Sequence, residues 1–147
     1  FFGALNGVIT GEFGTVMTTT DGGESWVTHE PLVDEFYPQS AFFKDSKTGW
    51  VTGLGGVILH TNDGGESWTE QETETVVPLY GIEQVGKNMY SVGGEGTVLK
   101  YDGARWHQFD HGKPIRLYIR AIRALDDTRA IVAGVGGALH IVEVGGA

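Results

Sequence analysis

The segment TNDGGESW, residues 61–68, restates TTDGGESW, residues 19–26, at a distance of 42 positions. A repeat with a period near 40 has to be resolved before any single-core reading, because stacked units bury their faces only against one another. Upstream of each copy stands a Gly-x-x-Gly pair, and the pair recurs twice more: Gly11 and Gly14, Gly53 and Gly56, Gly93 and Gly96, Gly134 and Gly137. Successive first glycines are 42, 40 and 41 residues apart. Each pair lies between two β-rich runs, GVIT and TVMTTT in the first case, as a tight hairpin between neighbouring strands reads. Glycine serves where such a turn must visit positive φ. A further apolar segment precedes each hairpin (FFGAL, SAFFKD, YGIEQV, RAIRAL), and in the first three units another follows it (SWVTHE, SWTEQE, RWHQFD). The expectation is four strands per unit, A to D, in units of about 1–36, 37–76, 77–114 and 115–147, the last ending before its strand D. A period of about 41 residues with four antiparallel strands is the pattern of a β-propeller blade.

Composition agrees with that reading. Of 147 residues, 40% are apolar and 24 are glycine, and Val, Thr and aromatics fill the stretches between glycines. No helical period persists, and no apolar run approaches the roughly 18 residues needed to span a membrane. The absence of cysteine removes disulfides, thiolate metal sites and thiol nucleophiles. A net charge of -9 argues against a nucleic-acid binder, which needs a cationic face. The charge is polarised: residues 1–99 hold three basic side chains against fourteen acidic ones, residues 100–129 seven against four.

The repeated phrase describes the turn between strands C and D. Asp21 and Asp63 can bend onto backbone N–H groups, Gly23 and Gly65 with their preceding glycines take conformations other residues resist, and Trp26 and Trp68 are expected to bury their rings between adjacent sheets. The third unit keeps a reduced version, Tyr101 to Trp106, with Asp102 as the turn carboxylate. Lying some 40 residues apart in different blades, these carboxylates do not read as a catalytic pair, which needs a separation of about 5 to 10 Å. The phrase, with Ser25 and Ser67, resembles the Asp-box or BNR repeat of sialidases and related propellers. The longer pattern at residues 49–68 resembles the photosystem II stability and assembly factor family. That resemblance implies a non-catalytic, protein-binding propeller that needs no cofactor. It also implies an extracytoplasmic location, in the periplasm or thylakoid lumen, and a membrane-protein precursor or envelope-complex subunit as partner. The rival reading from the same motif is a glycan-binding or sialidase-like propeller, for which no RIP-type segment is present.

Among the remaining candidates, His107 and His111 form a close pair without a third metal ligand nearby, so no metal site is assigned. The Gly-x-x-Gly pairs precede no helix and no Lys-Ser/Thr, which excludes a phosphate loop. Val8, Trp50 and Tyr90 share one place ahead of the first glycines and read as inter-blade packing. Arg116, Arg120 and Arg123, with Lys113 ahead of them and Tyr118 among them, straddle the crossing from strand D of unit three to strand A of unit four. Guanidinium groups delivered near the ring axis suit carboxylates and aromatic stacking, which makes this segment the candidate partner-binding site. The corresponding crossing between units one and two, residues 29–38, carries Glu30, Asp34, Glu35, Phe36 and Tyr37 and reads as a solvated loop or a second binding loop. Three full units and one lacking strand D leave an open arc. A piece of a longer propeller is the first expectation, with two self-associating copies or a compact four-bladed form as alternatives.

Overall fold

Runs of Val, Ile, Thr and aromatic residues between glycine turns favour pleated, half-buried surfaces, and the chain forms them throughout. The computed structural model describes residues 1–32 and 36–145. It consists of four antiparallel sheets, with no α-helix among the described residues. The first sheet holds β1 (Gly7–Thr10), β2 (Val16–Thr19) and β3 (Val27–Thr28). The second holds β4 (Pro38–Phe43), β5 (Gly49–Gly53), β6 (Ile58–Thr61) and β7 (Thr69–Gln71). The third holds β8 (Leu79–Val85), β9 (Asn88–Gly93), β10 (Val98–Tyr101) and β11 (Trp106–Gln108). The fourth holds β12 (Ile119–Ala124), β13 (Arg129–Gly134) and β14 (Leu139–Glu143). Each sheet meanders in chain order, and β4, β8 and β12, the edge strands that begin three of the sheets, pack side by side as strands lining a propeller axis do.

The hairpins at the glycine pairs are single 3-10 turns at Glu12–Gly14, Leu54–Gly56, Gly94–Gly96 and Val135–Gly137. Only the second glycine of each pair takes positive φ, between 73° and 76°. The first is extended, and its role is close approach. A Cβ at Gly53, Gly93 or Gly134 would collide with the carbonyl oxygen of Tyr37, Pro78 or Tyr118 in the crossing behind the turn. Those carbonyls accept hydrogen bonds from Leu54 N (3.3 Å), Gly94 N (2.9 Å) and Val135 N (3.1 Å). Turns and crossings therefore form one continuous face of the arc.

Facing sheets bury a core between each neighbouring pair. Between the second and third lie Trp50, Ile58, Leu79, Ile82, Leu99 and Trp106; between the third and fourth lie Tyr90, Val92, Val98, Ile119, Ile122 and Val132. Flanked on both faces, β5 is buried at every position. The flanks of the arc are different. Val16, Ile58 and Val98 occupy equivalent places and are at most 1% exposed, whereas their counterpart Leu139 is 65% exposed; Ile9, the counterpart of buried Val51, is 44% exposed. Each residue is covered only where a neighbouring sheet stands beside it, so both ends of the arc present uncovered apolar surface.

Two expectations are corrected. FFGAL forms no strand: Gly3 turns the chain at φ 96, Phe2 N bonds to Asn6 O at 3.0 Å, and the Phe2 ring stacks on Phe43 with centroids 4.7 Å apart. The aromatic pair attracts these residues to the second sheet instead of to the edge of β1. The equivalence of the three tryptophans also fails. Trp106 is fully buried, while Trp26 and Trp68 are half-buried, their rings set edge-on against Phe1 and Phe43.

Candidate partner-binding face

The two phrase turns are built alike. Thr19 Oγ accepts from Gly23 N (3.0 Å) and donates to Asp21 Oδ1 (2.7 Å), while Ser25 offers its N–H to Oδ1 (3.0 Å) and its hydroxyl to Oδ2 (2.5 Å). In the second turn Thr61, Asp63, Gly65 and Ser67 repeat these contacts within 0.1 Å. The serine hydroxyl, followed by the other donors, holds both carboxyls well below the usual carboxylate range. Every oxygen of both carboxylates is thus engaged within its own turn. Asp102 accepts from Ala104 N (2.8 Å) and Arg105 N (2.9 Å), and its second oxygen meets His107 Nε2 at 2.6 Å. His107 Nδ1 in turn meets Glu74 at 3.0 Å. His111 turns elsewhere: its Nε2 reaches Gly96 O at 3.1 Å, and its Nδ1 accepts from Lys113 N at 3.2 Å. The two histidines thus take separate structural partners.

On the inner edge, β4, β8 and β12 each carry a β-bulge, at Gln39, Tyr80 and Arg120, where the register slips by one residue against the next strand. A bulge leaves its residue outside the ladder and re-aims the side chain. The Arg120 guanidinium consequently lies 4.1 Å from the centre of the Tyr80 ring and 5.6 Å from that of Tyr118, and the two rings meet edge-to-face at 5.9 Å. Ser40, Tyr80, Arg120 and Arg123 line a narrow groove between β8 and β12. Gly81 follows the bulge in a close fit to its own sheet, where a Cβ would lie 3.0 Å from the Val92 side chain of β9.

The five basic-crossing candidates separate into three environments. Arg120 and Tyr118 form the aromatic bracket just described. Arg123 is held by Glu83 at 2.7 Å. Arg116 lies on the exposed crossing, where it lines an open cavity of about 410 Å³ with Leu117, Val135 and His140; Lys113 is exposed beside it. Among the described residues Arg116 and Arg120 form no ion pair, whereas Arg123 and Arg129 do. In the acidic crossing, Asp34 and Glu35 lie outside the described residues. Phe36 there is 5% exposed and packs on Val51 and Leu59, which removes it from any binding loop, while Tyr37 is exposed.

A family model described as photosynthesis system II assembly factor YCF48 matches residues 1–85, more than half of the chain. The chain belongs to the YCF48 family. Among solved structures, a YCF48 bound to D1 peptide covers 96% of this chain with a TM-score of 0.70 and 20% identity. YCF48 from Cyanidioschyzon merolae covers 97% with a TM-score of 0.71 and 14% identity. Both establish the propeller fold. The chain spans about half the length of these YCF48 structures, 52% and 51%. No curated protein matches significantly.

Sequence reasoning missed Tyr80, the platform under Arg120. The signal was available in the repeat itself, because Gln39, Tyr80 and Arg120 follow one another at intervals of 41 and 40 residues. It missed Glu74 as well, whose contact with His107 depends on the crossing at residues 72–74 running beside β11.

Proposed function

We propose that the chain is a non-catalytic, protein-binding arc of a YCF48-type assembly factor, taking hold of a membrane-protein precursor through the face that carries Arg116, Arg120, Lys113 and Tyr118. The observation that carries this reading is the Arg120 guanidinium, stacked on Tyr80 yet without a carboxylate partner among the described residues. A cation held in a fixed plane with its N–H edge unspent is prepared for a carboxylate. The peptide-bound YCF48 structure supports a peptide as the occupant, and the family supports an extracytoplasmic setting such as the thylakoid lumen. No described helix is long and apolar enough to cross a membrane. Arg123 contributes less, because Glu83 already neutralises it.

Anisotropy of a labelled acidic peptide with a free carboxyl terminus tests the assignment. Arg116→Ala with Arg120→Ala is expected to weaken binding at least about ten-fold, and Arg123→Ala by less than about three-fold. Equal binding by the folded double variant removes the site.

We further take residues 1–147 as one propeller unit whose uncovered flanks at Ile9 and Leu139 are closed by further blades or by a second copy. Native mass distinguishes the two: a dimer in solution supports closure by self-association, a monomer rules it out.

A further inference from the structure

Phe13 occupies a position that its own backbone disfavours. It sits at φ 57 and ψ 31, the left-handed region that bulky side chains avoid. Gly55, Glu95 and Gly136 hold the equivalent place with φ of 71°, 56° and 70°, so the conformation is imposed by the turn and not by phenylalanine. The ring gains little from the fold in return. It is 69% exposed and touches Tyr37, itself 40% exposed, with centroids 6.1 Å apart.

This exposure does not arise from the uncovered end of the arc. Glu95, in the third sheet and flanked by sheets on both sides, is exposed at the same position. The turn therefore points its middle residue away from the body wherever it occurs. Tyr37 leads on to Leu54, whose N–H bonds to the Tyr37 carbonyl and whose side chain is 41% exposed. Phe13, Tyr37 and Leu54 thus form an apolar ridge across the first two units, on the same face as the arginine crossing.

The surroundings of the ridge define its partner. Residues 1–43 contain six carboxylate side chains and no lysine or arginine. Glu12, adjoining Phe13, and Glu30, in the crossing beside it, are exposed and form no ion pair among the described residues. We propose that the Phe13–Tyr37–Leu54 ridge is a second docking site, taking an apolar side chain from a basic stretch of a protein partner, with Glu12 and Glu30 opposite the flanking cations. The chemistry is the reverse of the arginine site, and the inference stands or falls separately from it. Aromatic anchors within a charged rim are the usual carriers of interface affinity, and complementary charge sets orientation and encounter rate.

The test uses a labelled synthetic peptide, acetyl-Lys-Lys-Phe-Leu-Lys-Lys-amide, and its counterpart with glutamate in place of every lysine. The lysine peptide is expected to bind and the glutamate peptide to bind at least about ten-fold more weakly. Phe13→Gly is expected to lower affinity for the lysine peptide about ten-fold or more while raising the unfolding midpoint, because glycine relieves the left-handed backbone. That opposition separates a lost anchor from a damaged fold. Glu12→Lys with Glu30→Lys is expected to weaken the lysine peptide in the same way. No binding of the lysine peptide, equal binding of both peptides, or an affinity for Phe13→Gly within about two-fold of wild type overturns the inference. Loss on Arg120→Ala but not on Phe13→Gly also overturns it.

Discussion

Replacing Gln71 with leucine is expected to loosen the second sheet from the third. Gln71 ends β7, and its Oε1 accepts from two indoles, Trp50 Nε1 at 3.1 Å and Trp106 Nε1 at 2.8 Å, while its Nε2 donates to Tyr101 Oη at 2.9 Å. Trp106 is 0% exposed and Trp50 5%, so neither indole finds water once the amide oxygen is gone. Each orphaned buried donor costs about 1–3 kcal/mol, or about 2–6 kcal/mol for the pair. Leucine recovers about 1 kcal/mol through added apolar contact, and the net loss is about 1–5 kcal/mol. Urea unfolding followed by tryptophan emission reads this directly, because two of the four tryptophans report on the altered site. Glu70→Leu, one residue earlier and exposed, is the control and is expected to stay within about 0.5 kcal/mol of wild type. A Gln71→Leu loss below about 0.5 kcal/mol would show that the indoles do not depend on this acceptor.

Two further changes follow from geometry already described. Gly93→Ala places a methyl group against the Pro78 carbonyl and is expected to cost about 1–3 kcal/mol in denaturant unfolding, although residue 93 is extended and alanine tolerates its φ. His107 is raised above the ordinary histidine value, first by Asp102 and then by Glu74. A raised folded pKa means that its stabilisation is complete below about pH 6.5 and disappears as pH climbs through the folded value. Unfolding midpoints measured from pH 5 to 9 are expected to fall across that window, and His107→Gln is expected to remove this part of the slope.

The fold was legible in the sequence because blade geometry repeats, and repetition puts glycines at fixed intervals whatever lies between them. FFGAL was misread because an apolar pentapeptide fits an edge strand and an aromatic cap equally well; Gly3 and the reach of Phe2 to Phe43 decide it, and the latter is a tertiary contact. The arginine crossing announced itself by charge. Which arginine keeps its charge unspent did not, since Arg123 is silenced by Glu83, 40 residues earlier and in the neighbouring sheet. Nothing in SWTEQE singles out Gln71, because the two indoles converge on it from different sheets.

The slipped register of the inner strands has a wider consequence. At Gln39, Tyr80 and Arg120 the backbone is already released from its neighbour, so ladder hydrogen bonds place no demand on the side chain. Around the axis the chain carries a row of positions with a shared backbone mount and different contents: an amide, a phenol and a guanidinium, the last two stacked on each other. A side chain can be exchanged there without breaking a ladder hydrogen bond, and an exchange at residue 80 is felt at residue 120 in the neighbouring sheet.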